Sequence, residues 1–249
     1  MIILKTSHEL TLMREANRII AVILTEIADR IRPGVTTLEL DQWAEARIEE
    51  LHGRPGFKGY NGFPATLCTS VNEEVVHGIP SSERVLQDGD IVGVDVGSIY
   101  KGYYGDGART FAVGSISSEA ERLMTVCRES LDRGVAAALL GNRITDISIA
   151  IDRYVRPEGF EIVRDLTGHG IGRNLHEEPQ ILNYDCGRKG PKIQTNMTLS
   201  IEPMITAGTW KVRTLDDQWT VVTADGSLAA HYEHTVAVTD NGPEILTRL

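Results

Sequence analysis

Residues 90–107 read DIVGVDVGSIYKGYYGDG, and the pattern in this stretch decides the fold. Its first part alternates as a strand does, with three valines on one face and Gly93, Asp95 and Gly97 on the other. Residues 101–107 predict a hairpin turn that leads into a second strand. Asp95 is unusual because it interrupts a valine-rich strand, and the glycines beside it leave room for another group to approach closely. Taken alone, Asp95 could equally stand on a solvated sheet face.

The hairpin predicts that Asp95 and Asp106 lie side by side on two antiparallel strands. Two bare carboxylates that close repel each other, so that one of them stays protonated. A divalent cation between them would remove that conflict. The alternative is that both aspartates are present only because turns favour this residue type. The pair is therefore a candidate metal site that needs further ligands.

Helical and strand-like segments alternate in blocks around this hairpin. Capping-box patterns at residues 6–9 and 36–39 predict two helices before it, and a Ser118 cap and a stop at Pro157 bound two more after it. This order predicts one α+β domain over residues 1–249. Two similar halves remain an open alternative, because each half ends in a hairpin that carries acidic residues. Strands are predicted at residues 65–71, 90–99, 161–166, 196–206 and 228–239, with a further hairpin around 216–217.

Other acidic and histidine residues stand where a surface residue is not expected. His169 sits in GHGIG, where three glycines leave one histidine surrounded by bare backbone. The spacing is not that of a phosphate-binding fingerprint, and a turn with an incidental histidine is the alternative. His176 follows shortly after. Glu202 precedes a proline in LSIEP and Glu233 lies in the predicted last strand, although glutamate is depleted in strands.

The composition is that of an ordinary globular protein, and it argues against several classes of function. The chain has 249 residues, of which 41% are hydrophobic and 24% charged, and its net charge is −10. An acidic balance argues against direct DNA binding, which needs stripes of Lys and Arg. The three cysteines form no C-x-x-C pair, so we expect a reducing compartment and no disulfide framework. The most apolar stretch, residues 19–24, is too short to span a bilayer, and we expect a cytoplasmic protein without a membrane anchor.

Four carboxylates and one glycine-flanked imidazole on separate elements make up a candidate ligand set. The set is too small for an all-oxygen cage around one hard ion, but it suits two adjacent divalent ions that share bridging carboxylates. Mostly oxygen with one nitrogen favours Mn, Fe, Co or Zn over Cu(I). Two such ions about 3.5–4 Å apart, with a water between them, form a hydrolytic centre.

The ordered set of motifs resembles the type I methionine aminopeptidases of the pita-bread metallopeptidase superfamily. The resemblance covers essentially the whole chain from the first helix onward. It implies a pita-bread fold, in which an antiparallel sheet has two pseudo-related halves and helices cover one face. The matching segments read GFPATLCTSVNEEVVHGIP (62–80), DGDIVGVDVGSIYKGYYGD (88–106), GHGIGRNLHEEPQILNY (168–184), MTLSIEPMI (197–205) and AHYEHTVAVT (230–239).

The resemblance implies a role for each ligand. Asp106 and Glu233 would bridge two divalent ions. Asp95 would complete the coordination of one ion, and His169 and Glu202 that of the other. A hydroxide that bridges the ions would attack the carbonyl of an N-terminal methionine, and Glu202 would accept a proton from the bridging water.

The resemblance also implies which side chains handle the substrate. His77, in VVHGIP, would contact the substrate near the scissile amide, and His176 would stabilise the carbonyl oxygen as it becomes anionic. The methionine side chain would lie in an apolar, aromatic pocket, which suits a polarizable thioether. That pocket would be lined by Tyr60, Phe63, Cys68, Leu175 and Trp219, of which the aromatic members could otherwise be plain packing.

The chain departs from the family pattern at several positions, none of which is a ligand. Gly97 stands where many relatives carry Thr, which predicts the loss of a hydrogen bond behind the first aspartate. Asn61 replaces a common His in the aromatic loop, and residues 195–196 replace a frequent Pro-Gly. Leu175 replaces a common Phe and predicts a wider pocket.

The resemblance therefore implies a monomeric hydrolase that removes N-terminal methionine from peptides and nascent proteins with a small second residue, close to the ribosome. A prolidase or proline aminopeptidase is one rival, because it shares the ligand set but carries a sizeable domain ahead of the catalytic one. A binding module of the same superfamily is the other, and it would have lost ligands. A match that starts near the N-terminus favours the methionine enzyme, and the complete ligand set favours an enzyme over a module.

Overall fold

Four α-helices and fifteen short strands make up the fold in a computed structural model that describes residues 1–249. α1 and α2 begin at the predicted capping boxes, in which Thr6 and Thr36 exchange hydrogen bonds with the glutamate three residues on. α3 is capped by Ser117 and not by the predicted Ser118, because the Ser117 hydroxyl accepts the backbone N–H three residues later. The helices are α1 (Ser7–Glu26), α2 (Thr37–Glu50), α3 (Ser118–Ala137) and α4 (Ile144–Val155).

The strands pair antiparallel throughout and form four sheets. The first has the order β1-β4-β2, with β5 on the other edge of β4. The others have the orders β13-β10-β6, β11-β12-β3 and β15-β14-β9-β7-β8. The strands are β1 (Arg54–Pro55), β2 (Leu67–Val71), β3 (Glu74–Val76), β4 (Ile91–Tyr100), β5 (Tyr103–Ala112), β6 (Glu161–Ile162), β7 (Gly168–Gly170), β8 (Glu177–Ile181), β9 (Thr198–Ile201), β10 (Met204–Thr206), β11 (Val212–Thr214), β12 (Val221–Thr223), β13 (Ala229–His231), β14 (His234–Thr239) and β15 (Gly242–Ile245).

The predicted hairpin is the β4–β5 pair. Its turn consists of Lys101 and Gly102, which both have a positive φ, of 47° and 84°. Two-residue turns with positive φ match the twist of the flanking strands, so the turn fixes the register. That register places Asp106 opposite Gly97, two residues from the position opposite Asp95. The two aspartates are therefore diagonal neighbours on one face of the hairpin.

Two strands that the sequence predicts as continuous are each interrupted at a glutamate, which corrects the predictions for residues 196–206 and 228–239. The first breaks at Glu202 and Pro203, between β9 and β10, and the second breaks at Glu233, between β13 and β14. Pro203 has no N–H to donate to a ladder, and at both breaks the chain passes from one sheet to another. Because β10 pairs with β13 and β9 with β14, the two breaks face each other.

Five strands, β1, β3, β7, β8 and β15, escaped the sequence prediction, and one strand is shorter than predicted. β7 and β15 are rich in glycine or contain proline, and β8 contains proline and two glutamates, so strand propensity gave no signal there. The strand predicted at 161–166 is confined to β6, which pairs only with β10.

The helices cover one face of the sheets. The valine face of β4 is buried with α1 and α2 in one apolar cluster, and α3 packs over β9, β10 and β13 in another, with α4 beside it. α1 approaches β5 so closely that a Cβ on Gly105 would lie 2.7 Å from the backbone of Ala16, which explains the glycine. Each half thus packs two helices against its strands, and the Asp95 face of β4 points away from the helices. None of the helices is long and apolar enough to cross a membrane.

Candidate metal centre

One cavity collects every side chain that the sequence analysis singled out as a site residue. Its volume is about 190 Å³. Pockets for drug-sized ligands have roughly 300–1,000 Å³, so this cavity suits one side chain and the adjacent amide. Phe57 and Asn61 complete its wall, although neither was predicted as a site residue. The predicted members are Tyr60, Phe63, Cys68, His77, Asp95, Asp106, His169, Leu175, His176, Glu202, Trp219 and Glu233.

β4 and β5 supply the two aspartates. Asp106 is buried and its backbone is held on both sides: its N–H donates to Asn17 Oδ1 at 3.2 Å, and its carbonyl accepts from Thr235 Oγ1 at 2.8 Å. Asp95 Oδ1 and Asp106 Oδ1 are both buried and have no hydrogen-bond partner. Buried carboxylate oxygens without a partner are costly, so each requires a positive charge or a donor.

The two glutamates enter the cavity from the two strand breaks. The Ser200 hydroxyl donates to the Glu233 carboxylate, and the Glu233 N–H donates to the Ala108 carbonyl at 2.9 Å. The side-chain amide of Asn183 donates to the Glu202 carbonyl at 3.0 Å. The backbone at each break is thus fixed by hydrogen bonds outside the strand ladder that ends there.

His169 lies on β7 with its Nε2 turned toward the carboxylates. Its Nδ1 lies 2.9 Å from the Gly170 carbonyl, so Nδ1 carries the proton and Nε2 presents a lone pair. Nε2 is 3.4 Å from Glu202 Oε1 and 3.8 Å from Asp106 Oδ2. Ligand atoms of Asp106, His169 and Glu233 all lie within 4.8 Å of one another. Lone pairs that converge this closely are suited to a cation.

The four carboxylates have raised pKa values. Burial is the largest cause for each, and the charge of Glu233 is the next cause for the pKa of the other three. Burial raises the pKa of Glu233 itself to about 7. No Lys or Arg is paired with any of the four, and their only neighbours among the basic side chains are histidines. A divalent ion would supply the missing positive charge, so the residues present fit a metal centre.

Two neutral histidines stand beside the carboxylates. Burial lowers the pKa of both His77 and His176, so both imidazoles are uncharged at pH 7. The Tyr60 hydroxyl lies 2.8 Å from His176 Nδ1, and the His176 ring stands over His169 with 4.4 Å between centroids. His77 lies edge-on to Trp219 at 6.4 Å. His176 thus joins the carboxylate end of the cavity to its aromatic end.

The aromatic end forms an apolar slot. Phe63 packs edge-on to Trp219 with 5.1 Å between ring centroids. Cys68 and Leu175 are buried in the same cluster. Burial is also the main cause that raises the pKa of the Cys68 thiol, which is therefore neutral and apolar in character. The slot ends at the carboxylates, because Cys68 on β2 lies opposite Asp95 on β4.

Comparison with known proteins decides the family, since a model of metallopeptidase family M24 matches residues 11–240. The chain belongs to metallopeptidase family M24. A methionine aminopeptidase of Clostridium acetobutylicum is 54% identical over 99% of each chain. The crystal structure of a methionine aminopeptidase from Thermotoga maritima matches with a TM-score of 0.98 at 44% identity and covers 100% of both chains. A Xaa-Pro dipeptidase from Bacillus anthracis matches with a TM-score of 0.79 at 25% identity, and this chain spans 62% of it.

These matches confirm the resemblance to type I methionine aminopeptidases and the pita-bread fold that the motifs predicted. As a member of M24, the chain is a metal-dependent hydrolase and not a binding module. Membership also accounts for the uncompensated carboxylates, because metallopeptidases carry divalent ions. The dipeptidase shares the fold at much lower identity than the methionine aminopeptidases do.

One wall of this M24 site was missed by the sequence analysis. A Cβ on Gly97 would lie 2.5 Å from Cε1 of Phe57, so the Phe57 ring occupies the space that a larger residue at 97 would need. A glycine two residues from Asp95 and an aromatic residue in the facing loop were both visible in the sequence. Their contact was not, because it depends on how the loop folds back over β4.

His231 is a second residue that the sequence analysis missed. It is 4% exposed, and its Nε2 lies 3.9 Å from Glu202 Oε2 with no hydrogen-bond partner. Strand alternation could have identified it from the sequence, since residues two apart share a face and His231 stands two residues before Glu233.

Proposed function

We propose that this M24 member is a methionyl aminopeptidase that removes N-terminal methionine from peptides and nascent proteins with a small second residue. The observation that carries the proposal is the apolar slot that ends directly at the buried carboxylates. A methionine side chain in that slot places the following amide beside the ligands. The relatives named methionine aminopeptidase support the same substrate.

The metal centre of this proposal would hold two divalent ions of Co, Mn, Fe or Zn. The residues that would bind them are Asp95, Asp106, His169, Glu202 and Glu233. The supporting observations are the unpartnered oxygens of the aspartates and the lone pair of His169 Nε2. Ions bound there would lower the pKa of water at the site and polarise the scissile carbonyl.

The protein's own residues then position the substrate and move protons. With the Tyr60 hydroxyl, 2.8 Å away, as donor to His176 Nδ1, the His176 proton would lie on Nε2, where it would serve the carbonyl oxygen as a donor. His77 contacts the substrate near the scissile amide. Glu202 accepts the proton that attacking water loses, a role that suits a carboxylate whose pKa is raised by burial.

The wider assignment extends the same proposal. The chain works as one catalytic unit over residues 1–249, as a monomer in the cytoplasm, near the ribosome where new N-termini emerge. Three free cysteines agree with a reducing compartment. The net charge of −10 disfavours direct DNA binding.

A peptide competition tests the substrate. The protein loaded with Co(II) is offered Met-Ala-Ser and Ala-Pro-Ser together, with a chelator-treated sample and the Asp106→Asn variant as controls. We expect cleavage of Met-Ala-Ser, little cleavage of Ala-Pro-Ser, and no turnover in either control. A clear preference for Ala-Pro-Ser would move the protein to the proline-specific branch. Full activity of Asp106→Asn with chelator present would refute the metal centre.

A further inference from the structure

His231 lies at the end of β13, at the edge of the break that carries Glu233. The side chain of Thr110 fixes the backbone of His231. The His231 N–H donates to Thr110 Oγ1 at 3.0 Å, and the His231 carbonyl accepts from the same hydroxyl at 2.8 Å. The imidazole is buried, and its Nε2 has no hydrogen-bond partner. A ring N–H at Nε2 would be destabilising if it were buried without a partner, and one acceptor lies near it.

That acceptor is the Glu202 carboxylate. Nε2 of His231 lies 3.9 Å from Glu202 Oε2, while the other oxygen, Oε1, lies 3.4 Å from His169 Nε2. The two oxygens of one carboxylate therefore face two different imidazoles. His169 presents a lone pair to Oε1, since its Nδ1 is bonded to a backbone carbonyl. A proton on His231 Nε2 is favoured by the carboxylate in front of it.

We propose that His231 is a positioning residue that holds Glu202 Oε2 through its Nε2–H and so leaves Oε1 directed at the metal centre beside His169. The inference rests on the proposed metal centre. A shift of about 1 Å would bring the pair to hydrogen-bond distance, and such bonds at catalytic sites are often long until the site is complete.

The backbone around Glu202 explains why its side chain needs this support. Glu202 follows β9 and precedes Pro203, so no strand ladder continues through it. The Asn183 amide fixes only the Glu202 carbonyl. The other glutamate at a break has its own carboxylate donor, since the Ser200 hydroxyl bonds Glu233. His231 would supply the corresponding donor for Glu202.

The test compares three variants with the wild-type chain. His231→Gln keeps a donor at nearly the same reach, and His231→Leu removes it. His234→Leu is the matched control, because His234 is also a histidine near Glu233 but its Nδ1 lies 2.8 Å from the Thr247 hydroxyl. Chelator-treated protein is titrated with Co(II), followed by calorimetry and by the visible absorption of the bound ion. Thermal unfolding of the metal-free proteins is recorded in parallel.

We expect His231→Leu to bind Co(II) about 10–100-fold more weakly, the usual cost of losing a group that orients a ligand. His231→Gln should stay within about threefold of the wild-type affinity. His234→Leu should keep that affinity even where its unfolding temperature falls. If His231→Leu yields no folded protein, His231→Thr replaces it, because the threonine hydroxyl is too short to reach Glu202.

If His231→Leu binds Co(II) as tightly as the wild-type chain, the inference is overturned. An equal loss of affinity in His231→Gln would overturn it as well, because the donor would then not be the cause. An equal loss in His234→Leu would assign the effect to packing. Failure of the proposed substrate is distinguishable, since a preference for Ala-Pro-Ser with normal Co(II) binding leaves the role of His231 standing.

Discussion

Replacing Glu233 with glutamine should stabilise the metal-free protein at alkaline pH while it destroys the metal centre. Glu233 is buried among Asp95, Asp106 and Glu202, and its charge raises the pKa of all three. No Lys or Arg offsets this repulsion. Glutamine keeps the size of the side chain and an oxygen for the Ser200 hydroxyl, so the substitution removes the charge with little other change.

The magnitude follows from the pKa of Glu233, which rises from 4.5 to about 7 on folding. A carboxyl whose pKa is raised in the folded state favours folding in its protonated form, and that contribution is lost as pH rises from 4.5 through 7. A shift of this size corresponds to about 3 kcal/mol by pH 8, at about 1.4 kcal/mol per pH unit. At pH 5 the same relation gives about 1 kcal/mol or less, because this pH is only slightly above the pKa of 4.5 in the unfolded chain.

Urea unfolding in EDTA, at pH 5 and at pH 8, measures the effect. Glu233→Gln should be more stable than wild type by about 3 kcal/mol at pH 8 and by about 1 kcal/mol or less at pH 5. Glu49→Gln, at an exposed position on α2, is the control and should follow wild type at both pH values. Saturating Co(II) should stabilise wild type but not Glu233→Gln. Equal pH dependence in wild type and Glu233→Gln would refute the argument that unpaired carboxylates strain this cavity.

Three further substitutions address the proposed oxyanion donor, the contact between Gly97 and Phe57, and the ion pair between Lys5 and Glu177. His176→Ala should retain its metal ions, measured by elemental analysis, and lose about 10²–10³ in kcat, the cost of one oxyanion donor; an unchanged kcat with a raised KM would indicate uniform binding instead. Gly97→Thr should cost about 1–3 kcal/mol in urea unfolding, because it overpacks against Phe57. Lys5→Met should cost about 3–5 kcal/mol, because it leaves the buried carboxylate of Glu177 without its 2.7 Å partner; adding Glu177→Leu should recover part of that loss.

The sequence was most informative where a side chain's position follows from its immediate neighbours. Alternation in β4 placed Asp95 away from the valines, and the turn at 101–102 placed Asp106 on the same face. Both capping boxes were predictable because all their partners lie within one helical turn. These inferences hold because local geometry, and not tertiary packing, decides them.

Prediction failed where the fold interrupts a local pattern. Apolar alternation runs through residues 196–206 and 228–239, so both segments were predicted as unbroken strands. Each segment instead changes sheet at its glutamate, and only the pairing of β9 with β14 and of β10 with β13 determines where this happens. Because of these breaks, the side chains of Glu202 and Glu233 point into the cavity. The departure from strand structure and the proposed ligand role therefore have one cause, which neither segment reveals by itself.

The contacts of Gly97 in the folded chain change the interpretation of its departure from the family pattern. From the sequence it predicted a lost hydrogen bond behind Asp95. In the folded chain the space above Gly97 is filled by the Phe57 ring, which also lines the cavity. A side chain at 97 would displace that ring, and a smaller residue at 57 would leave a void beside Asp106, which lies opposite Gly97. The two positions thus form one packing unit, in which an aromatic wall replaces the polar contact, and neither residue can be interpreted without the other.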